Sequence, residues 1–293
     1  MSNLPPTTSR RLGNLREVGS RHRRPLLIVA LLVVLVGALY FTTLRWLGHE
    51  WWTNDYYTHG PLVVLISAFF IWRRRAALRR ENPSDLGLIG VGLGLAVAVA
   101  GLATRAPFLS ALSLPLLLAG LVAFLLGMPA LRALAFPLAF LWLAIPLPFV
   151  ELASFPLQVL TADVSTTLAR LLGIPAEVQG AQVTLTSCEL QVGAPCSGLR
   201  SIVSLLTLVA LFVYIIKGPW LARLGLIILS APIAVAANIT RVTLLLVVAE
   251  LWGRDAALRY FHDYSSPVLF IIAFGLLIAL SWVLRCREIR ADI

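Results

Sequence analysis

Long apolar runs separated by short polar connections dominate the chain from residue 25 onward. Eight of these runs are long enough, or nearly long enough, to cross a bilayer, which takes about 20 apolar residues in a helix. They cover residues 25–45, 59–72, 86–104, 107–127, 131–150, 196–216, 221–241 and 265–284. The run at 59–72 is the shortest of them. The pattern therefore predicts an all-α polytopic membrane protein with about eight transmembrane helices.

The segment between the fifth and sixth runs has a different pattern. Residues 156–172 have helical spacing with a polar side formed by Asp163, Ser165 and Thr166, so a helix lying along the membrane surface is expected there. Residues 177–192 alternate apolar and polar positions, which predicts a short extramembrane β-hairpin before the sixth run.

Composition supports the membrane class. Hydrophobic residues make up 59% of the 293 positions and charged residues only 13%, whereas soluble domains carry about 25% charged residues. The net charge of +10 does not indicate nucleic-acid binding, because the basic residues lie in short connections where membrane topology explains them. Cys188, Cys196 and Cys286 form neither a disulfide framework nor a zinc-binding spacing.

The distribution of basic residues predicts the orientation in the membrane. With eight spans, one side receives 17 of the 24 basic residues, and the positive-inside rule makes that side cytoplasmic. They are Arg10, Arg11, Arg16, Arg21, Arg23, Arg24, Arg73, Arg74, Arg75, Arg79, Arg80, Arg132, Lys217, Arg223, Arg285, Arg287 and Arg290. The expected organisation is a basic cytoplasmic tail at 1–24 that contacts membrane lipids, a transmembrane domain at 25–284 and a short cytoplasmic tail at 285–293.

Cys196 opens the sixth apolar run directly after Pro195. Proline is favoured at helix starts, and a helix N-terminus stabilises a thiolate. Arg200 follows four residues later on the same face of the predicted helix and would also favour the thiolate, with Ser197 and Gly198 between them. Cys196 is therefore a candidate nucleophile. A small buried cysteine and a disulfide with Cys188 are the alternatives.

Arg241 lies in an apolar stretch, 221–252, that is longer than one span needs. This stretch predicts either one long helix projecting from the bilayer or a helix broken near Asn238. An arginine in a span is costly and usually marks a function or a partner. Asn238, one turn earlier, shares its helical face and is expected to orient it. The alternative is an arginine that reaches the outer headgroups.

His262 precedes the last span and, with this topology, lies on the outer side together with Cys196 and Arg241. A histidine suits proton transfer to a leaving amine, although an interfacial histidine in an aromatic belt is the alternative. Asp55 and His59 are further candidates to line the same site. A metal site built from His49, Asp55, His59 and His262 has no specific spacing behind it, so neither a metal nor a cofactor is predicted.

Several short motifs follow one another from about Trp51 to Val283. They are Tyr57-Thr58-His59-Gly60, Ala144-Ile145-Pro146-Leu147-Pro148, Pro156-Leu157-Gln158, Gly173-Ile174-Pro175, Cys196-Ser197-Gly198-Leu199-Arg200-Ser201, Asn238-Ile239-Thr240-Arg241-Val242 and the late His262. Together they resemble the exosortase/archaeosortase family of membrane-embedded, sortase-like cysteine enzymes. Thr58 stands where bacterial relatives often have serine.

The resemblance implies a cysteine peptidase or transpeptidase of the exosortase type. Its substrates would be proteins with a C-terminal PEP-CTERM-like sorting tail, made of a short motif, a transmembrane helix and a basic end. The implied reaction cleaves this tail at the outer, periplasmic face of the bacterial cytoplasmic (inner) membrane through an acyl-thioester. The protein would then pass to a lipid or glycan-linked surface acceptor.

The resemblance also implies roles for individual residues. Cys196 would carry the acyl group, while Arg241 and His262 would share proton donation and transition-state stabilisation. The pKa of an arginine is above about 12, so it stays protonated and is a poor proton donor. Arg241 is therefore suited to stabilise the oxyanion, and His262 to donate a proton to the leaving amine. The supporting or substrate-binding residues would be Arg200, Asn238, Ser197, Gly198 and His59.

Two other classes of protein fit parts of the pattern. A multi-pass transporter or flippase-like protein would use the buried arginine and asparagine to bind an anionic substrate. It would usually show paired broken helices and repeat symmetry, and neither is evident in the sequence. A non-catalytic membrane scaffold is the third possibility, in which substitution of Cys196 would have no effect.

Overall fold

Eleven α-helices and two small sheets form the part of the chain that the computed structural model describes. It describes residues 30–78, 83–193 and 197–290, with every side chain in these ranges except those of Ala77, Tyr260, His262 and Asp263. The tail at 1–24 and Cys196 lie outside the described residues. The chain divides into two units, 1–46 and 47–293.

Most helices follow the predicted apolar runs, but the run at 25–45 is divided into two helices at Tyr40 and the run at 131–150 ends as an α-helix at Phe140. The helices are α1 (Ala30–Leu39), α2 (Phe41–Thr53), α3 (Gly60–Arg73), α4 (Leu86–Ala103), α5 (Pro107–Leu126), α6 (Met128–Phe140), α7 (Pro148–Leu152), α8 (Ser154–Leu171), α9 (Leu199–Ile215), α10 (Trp220–Trp252) and α11 (His262–Val283). Short 3₁₀ turns extend α3 and α6 at Arg75–Leu78 and Leu141–Ala144, and a π-helical turn, Ala256–Phe261, precedes α11.

Among the described residues, four helices are long and apolar enough to cross a membrane by length and composition: α4, α5, α10 and α11. The number rises to six if each of two bent pairs of helical stretches counts as one span. The pairs are α1 with α2, bent by 66°, and Met128–Ala144 with Pro148–Leu171, bent by 50°. In the four long helices only 17–39% of the apolar window is buried by the protein, so lipid must cover the rest. The chain is a membrane protein. Eight spans would also require the shorter helices α3 and α9 to cross, and that number stays a prediction.

Helix α8 occupies the segment expected to lie on the membrane surface, but most of its hydroxyl groups are buried. Thr161, Ser165 and Thr166 are buried, whereas Asp163 is exposed. The Ser165 hydroxyl donates to the backbone oxygen of Ile239 in α10 at 3.1 Å. The predicted common polar side of Asp163, Ser165 and Thr166 was therefore wrong, because Ser165 and Thr166 are buried and only Asp163 is exposed.

The segment predicted as one hairpin forms a three-stranded antiparallel sheet. Its strands β1 (Ala176–Gln179), β2 (Gln182–Leu185) and β3 (Glu189–Gln191) lie in chain order. The inner face of this sheet packs against α8 and the second half of α10 through Val183, Leu185 and Leu190. A second sheet of two residues a strand, β4 (Ile216–Lys217) with β5 (Glu288–Ile289), joins the ends of α9 and α11.

Helix α10 is a single continuous helix of 33 residues that passes through Asn238 without a break, so of the two sequence-based alternatives the long helix is observed. Two apolar clusters meet along it. Ala234 packs in the cluster formed with α9 and α11, whereas Val242 packs in the cluster formed with α8 and the three-stranded sheet. Asn238 and Arg241 lie between the two clusters, where α8, α9 and α11 approach α10.

Candidate active site

Arg241 is buried in α10, with only 5% of its surface exposed. Its Nη1 donates a hydrogen bond to the Oγ of Ser266 in α11. A buried guanidinium needs hydrogen-bond acceptors to offset the loss of its hydration, and Ser266 supplies one of them. Because its side chain is buried and bonded to another helix, Arg241 does not extend to the lipid headgroups, which was the alternative.

Asn238 lies one turn before Arg241 and is 4% exposed. Its Nδ2 donates to the Oγ1 of Thr161 in α8 at 3.4 Å. Together with the bond from Ser165 to the Ile239 backbone, this contact fixes α8 against the middle of α10. The amide and the guanidinium therefore share a face of α10, as the spacing predicted, and each is held by a different neighbouring helix.

Gly198 brings the start of α9 to the same place. It caps the helix with a left-handed φ of 79°, and a Cβ atom added there would lie 2.8 Å from the Cβ, Cγ and Nδ2 atoms of Asn238. Ser197 is 2% exposed, and its Oγ accepts a hydrogen bond from the Leu199 backbone N–H at 3.3 Å. Cys196, the preceding residue in sequence, lies outside the described residues. The chain thus reaches the Asn238 side of α10 two residues after the candidate nucleophile.

A small cavity of about 20 Å³ lies beside Arg241. Its polar walls come from three helices: Ser201 of α9, Asn238 and Arg241 of α10, and Ser266 of α11, with Leu205 and Phe270 among the apolar residues. This volume has room for about one water molecule. A narrow, largely buried space lined by a guanidinium and an amide strengthens their interaction with a developing negative charge.

His262 is the first residue of α11 and lies one helical turn before Ser266. Residues four apart in a helix lie on the same face. The backbone therefore brings position 262 to the end of α11 near the Arg241–Ser266 contact, while the side chain of His262 is outside what the structure describes.

Arg200 is directed to a more open region. Its side chain is 52% exposed, and its Nη1 lies 3.9 Å from the Oδ1 of Asp55. The two residues line an open cavity of about 360 Å³ together with Glu50, Asn54 and Glu151. An exposed ion pair of this length contributes little stability. Asp55 and Arg200 thus meet each other outside the Arg241 cavity.

His59 joins three segments of the chain. Its Nε2 lies 3.3 Å from the Leu143 carbonyl and 3.3 Å from the Oγ1 of Thr207 in α9. The Thr207 hydroxyl gives its proton to the Val203 carbonyl at 2.9 Å, so both neighbours of Nε2 act as acceptors and the proton is assigned to Nε2. Burial lowers the pKa of His59, which lies in the connection before α3, so it is neutral near pH 7.

Two motifs far apart in sequence are connected around His59. The Tyr57 hydroxyl accepts a hydrogen bond from the Leu147 N–H at 3.1 Å, and the Trp51 indole donates to the Ala144 carbonyl at 2.7 Å. Gly60 allows this approach, since a Cβ there would lie 2.2 Å from the Trp51 Nε1. The contacts of His59 are those of a residue that positions α3 and α9, and the structure does not bring it to the Arg241 cavity.

The sequence did not single out Ser266 or Thr161, which hold Arg241 and Asn238. Both are small hydroxyl residues within apolar helices, where serine and threonine are common. For Ser266 there was a usable signal, since it lies four residues after His262 and hence on its helical face. Thr161 had no such signal, because its partner lies 77 positions away.

Comparison with known proteins bears on most of the transmembrane region. The family model described as Transmembrane exosortase (Exosortase_EpsH) matches residues 51–279 of the 293. The chain belongs to the transmembrane exosortase family. No curated protein and no solved structure matched it.

Exosortases are cysteine-protease-like membrane sorting enzymes whose substrates carry sorting signals. The match covers the candidate residues Cys196, Asn238, Arg241 and His262. It also covers the segments that hold them, namely α8, α9, α10 and most of α11. The predicted family resemblance is therefore confirmed.

Replacement of Gly198 by alanine tests the packing between the start of α9 and Asn238. A left-handed conformation costs a residue with a Cβ about 1–2 kcal/mol, and at Gly198 the new Cβ would also collide with Asn238. Gly180→Ala is the matched control, because Gly180 has φ 61° and open space around its Cβ position. We expect Gly198→Ala to lower the melting temperature in detergent more than Gly180→Ala does. Equal shifts would contradict the close contact.

Proposed function

We propose that this exosortase is a membrane-embedded cysteine peptidase and transpeptidase that cleaves a PEP-CTERM-like C-terminal sorting signal and transfers the protein to a surface acceptor. The acceptor is a lipid or a glycan-linked molecule. The proposed location is the bacterial cytoplasmic (inner) membrane, with the active site on the periplasmic side. The arrangement of Arg241 supports this proposal most directly.

A buried arginine within an apolar helix needs a functional reason, because its desolvation is costly. Arg241 is held by Ser266 of α11. One turn before Arg241, Asn238 packs against Gly198. Gly198 lies two residues after Cys196, the cysteine of the motif that resembles the family. Three segments that the sequence marked separately thus converge on one part of α10. In a transporter the corresponding residues would be expected on broken helices, whereas α10 is continuous.

The proposed reaction has two steps. The Cys196 thiolate attacks the scissile carbonyl, the C–N bond breaks, and His262 gives a proton to the departing amine of the tail, which leaves an acyl-thioester. A nucleophile of the acceptor then attacks the thioester carbonyl, passes its proton to His262, which lost one in the first step, and releases the Cys196 thiolate. Arg241, assisted by Asn238, stabilises the oxyanion of both tetrahedral intermediates.

An amine nucleophile that cannot cross membranes tests the thioester and its orientation together. It is added to spheroplasts that contain the enzyme and a reporter protein with a PEP-CTERM-type tail. We expect mass spectrometry to find the amine attached to the new C-terminus of the reporter, because an acyl-thioester at the outer face reacts with amines. Inverted membrane vesicles, in which the outer face is enclosed, should give no adduct.

Each result has a separate meaning. An adduct formed only in inverted vesicles would reverse the proposed orientation. Cleavage without any adduct in either preparation would argue against a thioester that is open to acceptors. A reporter that the wild-type enzyme leaves intact would contradict the proposed substrate class.

A further inference from the structure

Strand β3 is an open edge of the three-stranded sheet. The sheet order is β1-β2-β3, and β3 pairs with β2 through Val183↔Leu190 and its neighbours. The Leu185 N–H donates to the Cys188 carbonyl and the Val192 N–H to the Ala181 carbonyl, each at 2.8 Å. Backbone groups alternate in direction along a strand. The N–H groups of Glu189 and Gln191 therefore point away from β2.

The same edge is exposed. Glu189 and Gln191 have exposed side chains, whereas Leu190 between them is buried against the core. The Glu189 carbonyl also points outward, while the Gln191 carbonyl accepts a local bond from the Gly193 N–H at 2.9 Å. An edge with outward N–H and C=O groups is a template for an additional strand.

The opposite edge of the sheet is partly covered by α8. By the same alternation, Ala176 and Val178 of β1 direct their backbone groups away from β2. The Ala176 carbonyl accepts a hydrogen bond of 2.6 Å from the Nε of Arg170, at the end of α8. The end of α8 thus contacts one backbone group of β1, and β3 is the more open edge among the described residues.

The open edge leads to the candidate active site. Leu190 and Val192 pack in the same apolar cluster as Val242, which follows Arg241 directly in α10. Gln191 precedes Cys196 by five residues. Five residues of extended chain span at most about 18 Å, so the two positions can be no farther apart than that. A peptide lying along β3 would have its next residues within reach of the proposed nucleophile and its oxyanion-binding groups.

We propose that the edge of β3 binds the substrate's sorting segment, the part of the tail next to its transmembrane helix, as a fourth strand of the sheet. This inference rests on the proposed function. The chemistry is that of backbone recognition, in which hydrogen bonds from Glu189 and Gln191 select an extended peptide largely independently of its side chains. A tail that leaves the membrane near the outer ends of α9 and α10 and runs along β3 needs no separate binding domain.

A proline scan of the two sheet edges tests the proposal. Gln191→Pro removes an outward N–H and places a ring where the added strand would lie, without removing a bond to β2. Val178→Pro makes the same change at the edge beside α8 and is the matched control. Gln191→Ala keeps the N–H and controls for the loss of the side chain.

The readout is kcat/KM for cleavage of the tailed reporter by the purified full-length enzyme in detergent, with the melting temperature measured in parallel. A lost backbone hydrogen bond together with the steric block should reduce kcat/KM about tenfold or more in Gln191→Pro, mainly through KM. Val178→Pro should remain within about twofold of the wild type, and Gln191→Ala should lose much less activity than Gln191→Pro because its N–H is kept. The melting temperatures of the two proline variants should be similar.

The outcomes separate this proposal from the one on which it rests. Wild-type activity in Gln191→Pro would overturn strand addition at β3 and leave the thiol mechanism intact. Equal losses in Gln191→Pro and Val178→Pro would also overturn it, since the sheet would then act only as a scaffold. Failure of the wild-type enzyme to process the reporter, or processing by Cys196→Ala, would instead contradict the proposed function.

Discussion

Replacing Cys196 by alanine or serine is expected to abolish processing of the tailed reporter, whereas Cys188→Ala and Cys286→Ala should retain it. Loss of the nucleophile removes the covalent pathway, and in other covalent enzymes it costs on the order of 10⁶-fold in rate. Processing is measured by the mobility shift of the reporter on gels, with the abundance of each variant in membranes measured at the same time.

The two other cysteines make useful controls because their environments differ. Cys188 is partly buried beside the cluster beneath the sheet. Cys286 is 1% exposed, and its Sγ lies against Gly218, so its truncation should cost only about 1 kcal/mol of stability. Robust processing by Cys196→Ala would end the thioester hypothesis and favour a non-catalytic role.

The positions of the helices could be predicted from the sequence because long apolar runs are a strong signal. What each polar position contacts could not. Ser165 looked like part of a water-facing side of α8, yet its hydroxyl bonds the backbone of α10. A polar stripe has the same spacing whether it meets water or another helix. In an apolar protein, the backbone carbonyls of a neighbouring helix are acceptors that sequence periodicity does not reveal.

The continuity of α10 has a similar physical reason. Asn238 was a possible break because its side chain competes for backbone hydrogen bonds. In the structure its amide donates to Thr161 of α8 instead, and the helix continues. The third strand was missed because Glu189–Gln191 is only three residues long, too short for an alternating pattern to stand out.

The sequence predicted which residues belong to the candidate site. The structure shows in addition which side chains contact them. Asn238 and Arg241 share a face of α10 as their spacing predicted, since the helix is regular there. The contact of Gly198 with Asn238 depends on the approach of two helices, which no local pattern encodes. Arg200 pairs with Asp55 at a more exposed position, so any effect of Arg200 on catalysis should be weaker than that of Arg241.

Substitution of Arg241 should have a large effect and should distinguish its role from that of His262. Arg241→Lys keeps the positive charge but loses the planar fork of the guanidinium. Loss of one oxyanion donor typically costs about 10²–10³ in rate, and we expect a decrease of this size in kcat for the tailed reporter. Arg200→Lys is the comparison variant, because the same change at this half-exposed arginine should lower the rate much less.

A second substrate separates proton donation from oxyanion stabilisation. An activated thioester has a leaving group that needs no proton, so its hydrolysis should be partly spared in His262→Ala if His262 is the acid. Arg241→Ala should lose activity on both substrates, because both pass through a tetrahedral oxyanion. Rates are compared for the same enzyme preparations. Equal losses in both variants on the thioester would show that His262 acts on the oxyanion or the thiol, and the division of roles between the two residues would be wrong.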